Sequence, residues 1–179
     1  MVYVFLAEGF EEMEALAPID VLRRAGLPVT TVGVGGRLIT GAHGVGFTAD
    51  SDGEGLDFAD ADCVVLPGGM PGTTNLDNSP MVAKALAVAA ERYALIGAIC
   101  AAPSVLGHKN LLQGKKATCF PGFEEELAGA DFTGAPVEQD GNIVTARGAG
   151  VALEFALTLT AALCGEEKAR ELRESLQCA

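Results

Sequence analysis

The sequence predicts a doubly wound α/β sandwich of flavodoxin type, with a mainly parallel central sheet. Three observations carry that expectation. Short apolar runs of strand length alternate with helical patterns along the chain. Those runs lack the in–out alternation of a half-exposed strand, so both faces of the sheet are expected to be covered. Glycine is abundant, at 23 residues, and aromatics make up only 6%, which suits tight strand-to-helix turns. A chain of 179 residues accommodates one domain with a sizeable core, spanning 1–179, and is too short for two ordinary ones.

Taken in order, Val2 to Leu6 reads as a buried strand. Ala15 to Ala25 reads as a helix stopped by Gly26, and Pro18 must sit in its first turn or kink it. Val29 to Val34 is a second strand, followed by a hairpin around Gly41 to Phe47. Cys63 to Leu66 is a buried strand running into Pro67-Gly68-Gly69. Met81 to Arg92 is helical, with Ser79 as N-cap and Pro80 at the first position. Ala94 to Ile99 is a strand, and Ala101 to Leu112 a helix with Pro103 in its first turn. Ala117 to Phe120, Val137 to Glu138 and Ile143 to Thr145 are further strands; Ala152 to Leu163 and Glu166 to Leu176 are helices parted by Gly165. Ligands of such sheets sit outside the carboxyl ends of the strands.

The formal net charge of −12 argues against nucleic acid and against an anionic membrane surface, because both need clustered Lys and Arg. No apolar run approaches the ~20 residues needed to span a bilayer, and the N-terminus lacks a signal peptide's basic start. The five cysteines, Cys63, Cys100, Cys119, Cys164 and Cys178, form no C-x-x-C pair, and His43 and His108 lie far apart. Neither a disulfide framework nor a metal site is expected. Reduced thiols point to the cytoplasm.

Three segments carry chemistry. In Leu95-Ile-Gly-Ala-Ile-Cys-Ala-Ala-Pro103 an apolar strand ends at Cys100 and a helix follows at once, between small residues. This is the pattern of a nucleophile elbow, with the side chain projecting from the sheet edge. A helix start there would stabilise a thiolate and lower its pKa; a buried structural cysteine fits the local pattern equally well. Val64-Val-Leu-Pro-Gly68-Gly69 can bring backbone N–H groups close to an oxyanion, or be an ordinary turn. Ala7-Glu-Gly-Phe-Glu-Glu-Met-Glu14 holds four acids in eight residues; most read as solvated, and one carried inward could titrate near neutrality and share a proton with a thiol.

Together with Asp20-Val-Leu-Arg-Arg-Ala-Gly26, Arg147-Gly-Ala-Gly150 and Glu154-Phe-Ala156, these segments resemble the ThiJ/YajL branch of the ThiJ/PfpI superfamily, in family order over residues 1 to about 165. The resemblance implies a homodimer of flavodoxin-like sandwiches with Cys100 as nucleophile and Glu14 as the carboxyl bonded to it. It implies that Gly69 and Ala101 offer N–H groups, with Gly68 alongside, and that Arg24 and Arg147 lie nearby. Ala149 stands where the family's Arg-Gly-Pro-Gly has proline. Phe120 stands where some members carry histidine, which removes an obvious proton shuttle. His43 stands in place of a second arginine and reads as a solvent-facing loop residue or one reaching the site of its own or the partner subunit; His108 reads as a residue near a helix C-terminus. The protease-like branch has histidine after the cysteine, where this chain has Ala101, and the amidotransferase relatives need a His-x-Glu pair that is missing.

The resemblance implies a glutathione-independent glyoxalase or deglycase without cofactor, acting on small 2-oxoaldehydes through a Cys100 hemithioacetal with Glu14 as proton shuttle. The alternatives are an oxidative-stress redox sensor using an oxidisable Cys100, or a holdase chaperone.

Overall fold

The structure, a computed structural model, describes residues 1–178. In chain order the elements are β1 (Val2–Ala7), α1 (Glu12–Arg24), β2 (Val29–Val34), β3 (Leu38–Thr40), β4 (Gly46–Thr48), β5 (Cys63–Leu66), α2 (Gly72–Asp77), α3 (Pro80–Glu91), β6 (Leu95–Ile99) and α4 (Pro103–His108). There follow β7 (Lys116–Ala117), β8 (Asp131–Phe132), β9 (Val137–Asp140), β10 (Ile143–Ala146), α5 (Ala152–Cys164) and α6 (Glu166–Ser175).

The central sheet has six strands in the order β2-β1-β5-β6-β10-β9. Neighbours run parallel, except that β9 lies antiparallel to β10 across the turn at Gly141. Successive residues of β1 serve opposite cores: Tyr3, Phe5 and Ala7 face one apolar cluster, and Val2, Val4 and Leu6 the other. Both clusters are covered by helices, which is why the strands read as unbroken apolar runs. Burying one such large side chain stabilises the fold by about 1.5–3 kcal/mol.

Several boundaries differ from the sequence expectation. Helix α1 starts at Glu12, because Glu11 caps it by accepting the Glu14 N–H at 2.7 Å. Pro18 is therefore inside the helix, and the bond its missing N–H forfeits is the one to the Glu14 carbonyl. The helix expected from Ala101 is cut to Pro103–His108, because Ala101 and Ala102 turn the chain out of the elbow. The strand expected to reach Phe120 ends at Ala117 and pairs with β8 outside the central sheet; beyond it, the Thr118 N–H bonds the Thr145 hydroxyl at 2.9 Å and the Phe120 N–H the Cys100 carbonyl at 2.8 Å. The hairpin forms as β3 and β4. Helix α2 was missed, since Gly72-Thr-Thr-Asn has no apolar period.

Candidate active site

Strands β1, β5, β6 and β10 end side by side, with Leu66 level with Ala98 and Ala146 level with Ile99. The residues just beyond these ends form the site. Cys100 takes φ +64°, a left-handed conformation that costs a residue with a Cβ roughly 1–2 kcal/mol. Its backbone is pinned on both sides: its N–H donates to the Ala146 carbonyl at 2.8 Å, and its carbonyl accepts from Phe120 N–H. The side chain is half-buried and turned off the sheet, as an elbow requires.

Glu14 comes from the first turn of α1 and is 1% exposed. Its carboxylate accepts the Gly68 N–H at 2.9 Å, is hydrogen-bonded to the Cys100 thiol and is approached by the Ala149 N–H. The Gly69 and Ala101 N–H groups approach the Cys100 sulfur. Gly68 admits the contact because a Cβ there would lie 2.6 Å from the Cys100 Cβ and 2.7 Å from a Glu14 oxygen.

Burial raises the Glu14 carboxyl to about 7; the bonds from Cys100, Gly68 and Ala149 pull the other way, and the Glu11 charge adds to the rise. Burial, followed by the Glu14 carboxylate, pushes the Cys100 thiol up to about 12 against the N–H groups of Gly69 and Ala101. This reverses the expected lowering by a helix field: α4 has only six residues and begins at Pro103, so burial and the facing carboxylate outweigh it.

The other expected residues divide. Phe120 is at the site through its N–H, with its ring 47% exposed. Arg147, directly after β10, is exposed and lines a cleft of about 410 Å³ with Phe120, Pro121 and Ala149. Arg24 does not join them: ten residues beyond Glu14, it lies about 15 Å along the helix axis and pairs with Asp20 at 2.7 Å. His43 also stays out. Its Nδ1 pairs with Glu12 at 2.8 Å, and its side chain is 72% exposed. His108 is the last residue of α4, the helix C-terminus expected for it, and is bridged there by Asp77 at 2.7 Å and Glu126 at 2.8 Å. Folding brings one cluster that sequence spacing hid: Glu11, Glu12 and His43 can each offer a ligand atom, all within 4.8 Å of one another, because the β3–β4 hairpin folds back over the start of α1. The neighbours of each residue in sequence held no signal of it.

A family model described as the DJ-1/PfpI family matches residues 1–162. The chain belongs to that family. It is 39% identical over 178 residues to the Parkinson disease protein 7 homolog of Danio rerio, covering 97% of this chain and 94% of that protein. It is 30% identical over 171 residues to the glutathione-independent glyoxalase DJR-1.2 of Caenorhabditis elegans, covering 94% and 91%. Among solved structures, oxidized Toxoplasma gondii DJ-1 superposes with a TM-score of 0.95 at 35% identity, covering 99% and 98% of the two chains. Drosophila melanogaster DJ-1beta gives 0.92 at 38%, covering 99% and 97%. The family and the fold expected from the motifs are thus those found.

Proposed function

We propose that this single-domain family member is a cysteine-dependent, glutathione-independent glyoxalase, with deglycase action on early adducts of the same aldehydes. The observation that supports it most is the Cys100 thiol bonded to a buried Glu14 carboxyl of raised pKa. Glu14, near 7, is suited to accept and return a proton at neutral pH. In the reactive form one proton resides on Glu14 and the sulfur is a thiolate. The sulfur adds to the aldehyde carbon of a 2-oxoaldehyde and the oxygen takes the Glu14 proton, giving a hemithioacetal and a Glu14 carboxylate. Glu14 removes the proton on that carbon, an enediol forms, and the proton returns to the neighbouring carbon. This leaves a thioester of the 2-hydroxy acid, and water cleaves it to release the acid and the thiol. Gly69 and Ala101 N–H groups stabilise the oxyanions.

No step requires a cofactor, and turnover is expected to survive exhaustive chelation. Wild type should convert methylglyoxal to lactate without glutathione, and Cys100→Ser should not; equal turnover by the two would sink the reading. A second reading, a redox sensor, is favoured by the half-buried Cys100 facing a protonatable Glu14, which could hold a sulfinate. It is the better one if Cys100 oxidises stoichiometrically while no aldehyde turns over. For assembly we propose a homodimer through the face carrying exposed Met13, Leu16 and Leu153, which border an apolar cleft on α1 and α5. Among the described residues no helix is long and apolar enough to cross a membrane; a cytoplasmic location is part of the proposal.

A further inference from the structure

At the carboxyl edge of the sheet, beside the elbow, Arg147 is a cation that no side chain among the described residues neutralises. Arg147 directly follows β10, whose last carbonyl, that of Ala146, holds the Cys100 N–H. Two residues further on, the Ala149 N–H faces the Glu14 carboxyl. The segment bearing Arg147 is therefore fixed to both members of the thiol–carboxyl pair. The Arg147 side chain makes no ion pair or hydrogen bond among the described residues, whereas the other two cationic candidates do: Asp20 takes Arg24 and Glu12 takes His43. With 24 acidic against 12 basic residues, the chain as a whole repels anions. An unpaired guanidinium on the wall of a 410 Å³ cleft beside the site is a local exception to that field.

We propose that Arg147 determines specificity by receiving the carboxylate of a small electrophile whose reactive carbon is presented to Cys100. The favoured substrates are then aldehydes that also carry a carboxylate. A planar guanidinium matches a carboxylate through two parallel N–H bonds. A single positive charge on the cleft wall suits a monoanion and not a more highly charged group. The exposed ring of Phe120 and Pro121 supply an apolar wall for the carbon skeleton between the two ends. The proposal rests on Cys100 being the nucleophile, but not on aldehyde turnover.

Iodoacetate and iodoacetamide test it without a substrate. Both place the same CH₂ on sulfur with loss of iodide, and they differ in carrying a carboxylate or a neutral amide. Rates at Cys100 are followed by peptide mapping in wild type, Arg147→Lys and Arg147→Gln. The ratio of iodoacetate to iodoacetamide rates should fall about two- to fivefold in Arg147→Gln, the effect of losing an ion pair at an exposed side chain. Arg147→Lys should fall between, and about 0.5 M salt should erode the wild-type ratio. Exposed Cys164 serves as internal control, and its ratio should stay constant. An unaltered ratio at Cys100 in Arg147→Gln, or an equal change at Cys164, overturns the proposal and leaves the nucleophile assignment standing. If neither reagent alkylates Cys100, the nucleophile assignment falls and this proposal falls with it.

Discussion

Glu12 and Glu14 stand two positions apart on the first turn of α1, are 7% and 1% exposed, and are driven in opposite directions. Burial is the largest influence on both and raises both. On the hairpin side it is outweighed: Glu12 accepts the His43 N–H at 2.7 Å, the His43 ring at 2.8 Å and the Val45 N–H at 3.5 Å, so its carboxyl is held below the usual range. On the elbow side Glu14 meets a thiol and two backbone N–H groups, with no cation, and stays at about 7. Burial alone does not make a proton-transfer group; burial without a countercharge does.

The largest effect expected is on turnover. Glu14→Gln keeps the size but removes the base, and should slow methylglyoxal conversion by about 10²–10⁴-fold, while iodoacetamide still labels Cys100. Near-normal turnover in that variant would remove Glu14 from the mechanism. Glu12→Gln should stay within about twofold of wild type, an effect below 1 kcal/mol.

Next in size is the pH dependence of stability. The folded-state value of Glu14 lies above its ordinary value of 4.5, so the folded chain binds the extra proton. Its contribution is fully present below about 4.5 and is lost as pH rises through about 7, roughly 3 kcal/mol in all. Urea midpoints at pH 5 and pH 8 should show the loss in wild type and not in Glu14→Gln. For Glu12 the sign is opposite: its contribution is present above 4.5 and is lost as pH falls through its lowered folded value. An acid-side slope surviving in Glu12→Gln undiminished would break the contrast.

Smaller still, Glu12→Gln should cost about 1–2 kcal/mol of stability near pH 7, since amide oxygen replaces a charged acceptor. His43→Ala removes only a highly exposed ring and should cost less than that. Its turnover should match wild type in a direct assay; a collapse would make His43 the missing base.

The elements follow the same division as the two carboxyls. Strands β1, β5 and β6 were legible because they are apolar throughout and buried on both faces, and α3 because Ser79 and Pro80 mark its start. The end of β7 was not, since the Thr145 hydroxyl of β10 and the Cys100 carbonyl take the backbone bonds beyond it, and neither was α2, whose Gly72-Thr-Thr-Asn start has no apolar period. In the site, Cys100, Gly68 and Gly69 announce themselves by lying where apolar strands stop. Glu14 was distinguishable from Glu11 and Glu12 only through the family motif, because four acids in a row of eight carry no local mark of which one turns inward.

The sequence by itself determined the sheet, the elbow and the family, since these follow from hydrophobic period and from small residues at fixed positions along one chain. Tertiary structure alone decided the charges. It set Glu12 against His43 across 31 residues and Glu14 against Gly68 across 54, and it left the Arg147 side chain without a partner among the described residues. A pKa depends on the distance to charges and on the exclusion of water, and both are properties of elements remote in sequence that only packing brings together.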